Sequence, residues 1–344
     1  MGALHNIKEA FASLILWGEG GWICGIQKSI HFYIETIMTF IPVLQSRPRV
    51  ADRWYLGIDG GGTKCRALLV DGQGRIRGEG VGGSANAFNN LSVTCDSIVQ
   101  AARQALAHAD LPENDLGKLY VSAGLAGVNV ATAANAVAQW QHPFASFSFM
   151  SDLKAACLGA HAGASGRVII LGTGSCGAVL DEGQFAMVGG HGLALGDDAS
   201  GAWLGREAIR YHLLAKDGLA EPTLISQALD QVAQQMFNQP VEDWVGFMQH
   251  KTTADYAKFS FAIIQASRQG DQTAQKVLQQ ALNYVSQLAE CLNHKATKPL
   301  PLVLMGGLVS YLRPELESCV NYREAAYPSE VGALLIPEFD TSNA

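Results

Sequence analysis

The chain has 344 residues, of which 48% are hydrophobic and 16% charged, with a formal net charge of −7. That length exceeds the usual size of one domain and predicts two, and the apolar content excludes a disordered chain. With no basic surplus to neutralise phosphates, neither nucleic acid nor an anionic membrane is an expected partner, although backbone N–H groups still allow a local phosphate site.

The first fifty residues differ in texture from everything after Trp54. The apolar stretch at 11–17 is followed by Glu19 and the glycines Gly18, Gly20, Gly21 and Gly25, and no run reaches the roughly 20 apolar residues of a membrane span. Nor does a basic start lead into an apolar stretch and a small-residue cleavage site, as a signal peptide would show. Residues 1–52 are therefore expected to lie outside the folded core, with Met38 a candidate true start.

Residues 54–58 read as a buried strand, followed by Asp59-Gly60-Gly61-Gly62-Thr63 and a second apolar run at 67–70. Asp71-Gly72-Gln73-Gly74 makes a hairpin turn, and 75–81 alternates as a third strand. Helical spacing covers 93–108, which Leu111-Pro112 ends, and 131–140. A β-rich run at 147–150 leads through Ser151-Asp152 to a helix over 154–162, expected to cross between halves. The opening pattern then returns: a strand at 168–171, the turn Gly172-Thr173-Gly174-Ser175, a strand at 177–180, the turn Asp181-Glu182-Gly183-Gln184, and a strand at 185–188. From 200 to 292 the signals are almost entirely helical, including 254–268 and 273–291, before a last buried strand at 302–305 and Gly306-Gly307. Strand, glycine turn, strand, tight turn, strand occurs twice. This repetition predicts duplicated α/β domains, 53–160 and 161–338, facing one another across a cleft.

Seven cysteines are scattered with no C-x-x-C pair, which reads as reduced cytoplasmic thiols rather than a disulfide frame or a local zinc or iron–sulfur site.

Asp59-Gly60-Gly61-Gly62-Thr63-Lys64 directly follows a strand. Its glycines permit positive φ and let backbone amides approach a phosphate with no Cβ in the way. Thr63 adds a hydroxyl, and Asp59 is suited to the hydrated Mg²⁺ that accompanies ATP. The alternative is an ordinary glycine hairpin, and the spacing is not that of a Walker A loop. Residues 172–177 fit G-x-G-x-x-G, but a strand follows where the dinucleotide fingerprint needs a helix. A second phosphate clamp fits that context better. Asp152, between a strand and a helix, is placed either to deprotonate an attacking hydroxyl or to cap the helix. Asp197 and Asp198, after Gly189-Gly190-His191-Gly192, could serve as acid and base, metal ligands or helix caps. His191 stands apart from other metal-type residues and reads as a wall residue. Ser84-Ala85-Asn86 offers short polar side chains for a sugar hydroxyl, or an ordinary turn.

Taken together and in order, these motifs, with Leu125-Ala126-Gly127, Gly196-Asp197 and Met305-Gly306-Gly307, resemble the BadF/BadG/BcrA/BcrD-type branch of the actin-like sugar kinase superfamily. Within it the chain looks most like bacterial amino-sugar kinases related to the eukaryotic N-acetylglucosamine kinase, over about residues 55–332. The resemblance implies duplicated ribonuclease H-like domains and ATP-dependent phosphorylation of N-acetylglucosamine at C6, with ATP and Mg²⁺ as cofactors. It makes Asp152 the general base. Asp59, also the metal ligand, would form the first phosphate site with Gly61, Gly62, Thr63 and Lys64, and Thr173 with Gly174 the second. Gly306, Gly307 and Ala257 would hold the adenosine. Ser84, Asn86, Ser175, Gly190, His191, Gly192 and Asp197 would line the sugar pocket, and a cytoplasmic homodimer is the expected form. One departure stands out: the family usually has glycine where this chain has Ala199. If that position requires positive φ, alanine there is strained by about 1 kcal/mol or more. The nearest rival is glucosamine kinase, with the same fold and machinery. More distant are an ATPase activator of an acyl-CoA dehydratase or reductase, which holds an iron–sulfur cluster between subunits, and a non-catalytic sugar sensor.

Overall fold

The computed structural model describes residues 41–45, 49–238 and 241–335. The described chain opens on one helical turn, α1 (Pro42–Gln45), and enters a three-strand meander, β1 (Trp54–Gly60), β2 (Cys65–Val70) and β3 (Ile76–Gly82). After α2 (Leu91–His108) come β4 (Leu119–Leu125), α3 (Ala131–Ala138), β5 (Ser146–Ser151) and α4 (Asp152–Ala160). These strands form one sheet in the order β3-β2-β1-β4-β5, with β1, β4 and β5 parallel. A second meander, β6 (Gly166–Leu171), β7 (Ser175–Asp181) and β8 (Gln184–Gly189), pairs with β9 (Leu302–Met305) in the order β8-β7-β6-β9, with β6 and β9 parallel. Each sheet is thus an antiparallel meander with a parallel strand added at its first strand. That is the duplication the repeated pattern predicts.

Between β8 and β9 lies a helical block: α5 (Gly201–Lys216), α6 (Leu224–Phe237), α7 (Trp244–Met248), α8 (Thr253–Lys258), α9 (Ser260–Arg268) and α10 (Gln272–His294). Three short helices close the described chain, α11 (Gly307–Tyr311), α12 (Arg313–Glu317) and α13 (Ser329–Ala333). One apolar core joins the helical block to the second sheet through residues such as Ile169, Leu204, Phe259 and Leu288. Another fills the first sheet around Ile58, Leu69, Ile98 and Val121. A third draws on both sheets at once, uniting Leu68 and Val70 with Val168, Ala178 and Val303, and with Leu153 and Cys157 of α4. The helix expected to cross between halves therefore does so, starting at Asp152 rather than 154.

Local chemistry explains the pairing of elements. Gly78, Gly80 and Gly82 line the face of β3 against α2, where a Cβ would collide with the carbonyls of Ala105, Ala101 and Ser97. The small residues of α2 at four-residue spacing make the complementary ridge. The second tight turn has Glu182 and Gly183 both at positive φ (48° and 85°), as a two-residue hairpin loop requires.

Two expectations need correction. The central strand β4 was not anticipated, because Ser122-Ala123-Gly124 dilutes its β signal. Those residues are small because α4 packs on them: a Cβ at Gly124 would lie 2.5 Å from the Ala155 Cβ. The boundary at residue 52 also falls late, because Ile41 and Leu44 are buried in the core shared by both sheets. Residues before 41, with the Met38 start, lie outside the described residues. Among the described residues no helix is long and apolar enough to cross a membrane, and six cysteines are unpaired.

Candidate active site

In a parallel sheet, ligand groups gather beyond the carboxyl ends of the strands. Asp59 is the penultimate residue of β1, level with Gly124 on β4, which in turn is level with Met150 on β5. Asp152 follows two residues later, with its Cα 3.3 Å from where a Gly124 Cβ would stand. Glycine at 124 thus brings two carboxylates toward one another across a single intervening strand. Asp152 is not the helix cap: Ser151 is, its Oγ accepting from Lys154 N–H at 3.2 Å. The Asp152 Oδ1 accepts from Leu153 N–H at 2.8 Å. Burial, and to a smaller degree the charge of Asp59, pushes the Asp152 carboxyl up to about 6. Such a group is a poised base near neutral pH. Asp59 is likewise raised by burial, opposed by the Arg66 and Lys64 charges.

The Gly61–Lys64 loop is held closed by the Gly61 N–H donating to Lys64 O at 3.0 Å. Gly60, Gly61 and Gly62 are not in the left-handed region, so conformational freedom is not why they are glycine. At Gly60 a Cβ would crowd Leu125 Cδ2 at 2.7 Å, whereas one at Gly61 would meet only Lys64 O at 3.6 Å and one at Gly62 nothing within 4 Å. The loop presents bare backbone to an open side, and the exposed Thr63 hydroxyl bonds no described residue. Ser84 makes a bond within the chain. Its Oγ donates to Gly62 O at 2.8 Å, and Ala85 N–H donates to Gly61 O at 2.9 Å. The 84–86 turn therefore buttresses the glycine loop. Asn86 follows, its Oδ1 accepting from Phe88 and Asn89 N–H at 3.1 and 3.2 Å. Its amide nitrogen donates to no described residue.

In the second half, Gly172-Thr173-Gly174 sits at the end of β6. Its carbonyls receive the first free amides of α5, Gly201 N–H on Gly172 O and Ala202 N–H on Thr173 O. That helix terminus is therefore spent on holding the loop. Ser175 donates to Asp198 O at 2.6 Å, Gly190 N–H to Ser175 O at 3.1 Å, and Gly192 N–H to Asp197 Oδ1 at 3.0 Å. The Asp197 Oδ2 would lie 2.6 Å from a Cβ at Gly174, so residues 174, 175, 190, 192 and 197 converge. Exposed His191 borders the group, its Cβ 3.3 Å from where a Gly196 Cβ would stand. Neither aspartate caps α5; Ser200 does, accepting from Trp203 N–H. Burial raises Asp197, against the Gly192 amide that lowers it.

Asp197 and Ala199 both stand at positive φ, 58° and 65°, so the position where the family has glycine does require the left-handed region. Ala199→Gly is expected to stabilise the protein by about 1 kcal/mol, the left-handed strain of alanine outweighing the added unfolded-state entropy. Equilibrium denaturation measures this, and an unchanged midpoint would contradict it.

At the end of β9, Gly306 has φ 102° and a Cβ there would collide with the Leu171 carbonyl, while Gly307 faces open space. Ala257 packs on α5, its Cβ 3.1 Å from where a Gly201 Cβ would stand. The residues in question thus lie on the turns after β1, β3, β5, β6, β8 and β9, with Ala257 on α8. The halves also meet electrostatically. The Cys176 thiol, pushed up to about 12 mainly by burial, feels both Asp152 and Asp197.

Sequence reading missed three side chains here. Arg66, paired with Asp59 in the β1–β2 register, places Nη2 3.4 Å from Asp59 Oδ2 and 3.5 Å from Glu330 Oε2. Tyr284 on α10 has its hydroxyl 3.1 Å from where a Gly189 Cβ would stand, and is raised by burial and by Asp198 and Asp197. Arg66 follows the motif by two residues, but Glu330 and Tyr284 are remote in sequence from what they touch. Among the described residues no three His, Cys, Asp or Glu side chains are grouped to hold a metal. Mg²⁺ does not ask for that: it binds through one or two carboxylates, phosphate oxygens and water. Asp59, half-buried at a strand end beside a bare glycine loop, fits such a donor set.

A family profile described as the BadF/BadG/BcrA/BcrD ATPase family matches residues 56–337. A glucosamine kinase of Vibrio cholerae is 36% identical over 268 residues, 78% of this chain and 89% of that protein. An N-acetyl-D-glucosamine kinase of Dictyostelium discoideum is 25% identical over 271 residues, 74% of this chain and 84% of that protein. Among solved structures, a protein of Chromobacterium violaceum provisionally named an N-acetylglucosamine kinase superposes with a TM-score of 0.74 at 28% identity, covering 83% of this chain and 99% of that one.

Proposed function

This chain belongs to the BadF/BadG/BcrA/BcrD ATPase family, and from that premise we propose that, as an ATP-dependent amino-sugar kinase, it phosphorylates the C6 hydroxyl of N-acetylglucosamine. The observation that carries the reading is Asp152: a half-buried carboxyl pushed up to about 6, not used as a cap, feeling the charge of Asp59 and within electrostatic reach of the opposite half. Asp152 takes the proton of the sugar hydroxyl as its oxygen bonds to the γ-phosphorus and the bridge to ADP breaks. Asp59 holds Mg²⁺, which when bound neutralises charge on the transferring phosphates. Gly61, Gly62, Thr63 and Lys64 on one side, and Thr173 with Gly174 on the other, bracket the phosphates. Ala257, Gly306 and Gly307 hold the adenosine. Asn86, Ser175, Gly190 and Asp197 hold the sugar, with His191 and Gly192 at its 2-substituent and Ser84 acting through Gly62. Packing of both halves on α4 supports closure over the substrates, which excludes water as a competing acceptor.

Glucosamine as the acceptor is a second reading, favoured by the 36% identity to a glucosamine kinase. ADP release measured with N-acetylglucosamine, glucosamine, glucose and N-acetylmannosamine separates the two. We expect the highest kcat/KM on N-acetylglucosamine; preference for glucosamine would move the acceptor and keep the mechanism. ADP release without dependence on any sugar, from anaerobically purified protein containing iron, would favour the activator function instead. The unpaired thiols support a cytoplasmic site of action, and a homodimer remains the form to test by light scattering.

A further inference from the structure

Arginine–carboxylate distances in this fold run from 2.7 to 3.8 Å, and the short ones mark tight pairs. Arg75 Nε lies 2.7 Å from Asp71 Oδ2, within the about 2.7–2.9 Å of charge-assisted hydrogen bonds. The pair beside the glycine loop is not one of them: one nitrogen, Arg66 Nη2, stands 3.4 Å from Asp59 and 3.5 Å from Glu330. The guanidinium is shared between two carboxylates, with one long hydrogen bond to Asp59 Oδ2. Glu330 Oε2 is buried and accepts no hydrogen bond from a described residue, and Arg66 Nε is buried and donates to none. The Arg66 side chain is 41% exposed and that of Glu330 only 12%, so it is the Glu330 carboxylate, with a buried oxygen that accepts no hydrogen bond from a described residue, that calls for an explanation.

The placement of Glu330 is rigid. It lies on α13, whose Glu330 carbonyl fits against β1 where any Cβ at Gly57 would collide with it. Two residues on, Gly332 fits against the Ala155 carbonyl of α4 in the same way. The helix carrying Glu330 is thus clamped between the strand that ends in Asp59 and the helix that begins with Asp152.

We propose that Glu330 is a positioning residue that draws the Arg66 guanidinium partly away from Asp59, leaving the Asp59 carboxylate available to Mg²⁺ that arrives with nucleotide. Without Glu330, Arg66 closes onto Asp59 as a short pair, and the metal must displace a full guanidinium. This inference rests on the reading of Asp59 as the metal-binding carboxylate.

Calorimetric ADP binding to the full chain across a Mg²⁺ titration tests it without turnover. Glu330→Gln is expected to raise the Mg²⁺ concentration for half-maximal effect by about tenfold, as an unshared cation at contact distance implies. ADP binding in EDTA should not change. Arg66→Met should lower that Mg²⁺ concentration, and adding it to Glu330→Gln should abolish the increase, which a merely structural defect would not allow. A Glu330→Gln titration superimposable on wild type, or a double variant that keeps the shift, overturns the proposal. If Glu330→Gln does not fold, Arg66→Met decides alone, and an unmoved curve overturns it. Wild-type binding indifferent to Mg²⁺, or an Asp59→Asn variant that keeps the full dependence, would instead defeat the reading of Asp59, and this inference with it.

Discussion

Asp152→Asn is expected to lower kcat by roughly 10³-fold while leaving ATP binding intact, because a positioned general base contributes about 10²–10⁴. Asparagine preserves the shape and the contact to the Leu153 amide but cannot accept the sugar proton. In the wild type, kcat should fall with decreasing pH through about 6, as the carboxyl protonates. A stability effect of opposite sign accompanies the loss. The folded-state carboxyl is raised from the ordinary 3.8 to about 6, so the folded protein binds more protons than the unfolded chain between those values. Stability is therefore undiminished below that window, declines across it, and bears the full penalty of a buried charge above it. Removing the charge at pH 8 is expected to stabilise by about 2 kcal/mol, the rise from 3.8 to about 6 being discounted for partial exposure. Steady-state kinetics and denaturation of one variant check both. Near-normal turnover would show that another carboxylate is the base.

Gly306→Ala is the second large effect. The residue stands at φ 102° with no room for a Cβ against the Leu171 carbonyl. Alanine must therefore displace the joint between β6 and β9, at an expected loss of about 2–4 kcal/mol. ATP binding should weaken with it, because the same turn presents Gly307 to the open side. Gly307→Ala is the control, since its Cβ meets nothing within 4 Å. It should leave stability unchanged and still raise the KM for ATP. Unchanged nucleotide binding in Gly307→Ala would remove the adenosine from this turn.

The duplicated architecture was legible because its signal is local: a glycine turn between apolar runs, followed by a hairpin, appears twice with little interruption. Asp59 and Asp152 stand out for the same reason, each being a carboxylate at the end of a strand run. What stayed hidden depends on distant partners. Strand β4 lost its apolar signature to the helix lying on Gly124, and nothing near Ser84 in sequence announces its bond to Gly62. Glu330 is 264 positions from Arg66, and no periodicity marks a carboxylate whose ion-pair partner among the described residues lies across the fold. Ala199 falls between these cases. Its identity was visible as a departure from the family, but only the backbone angle of 65° shows that it is strained.

The central claim is phosphoryl transfer to the sugar C6 oxygen, and the product itself tests it most directly. After incubation with ATP, Mg²⁺ and N-acetylglucosamine, carbon–phosphorus coupling in the NMR spectrum locates the new phosphate. We predict coupling at C6 in the wild-type product, with no sugar phosphate above background from Asp152→Asn over the same time. Phosphate on another carbon, or inorganic phosphate released with the sugar unchanged, would contradict the account.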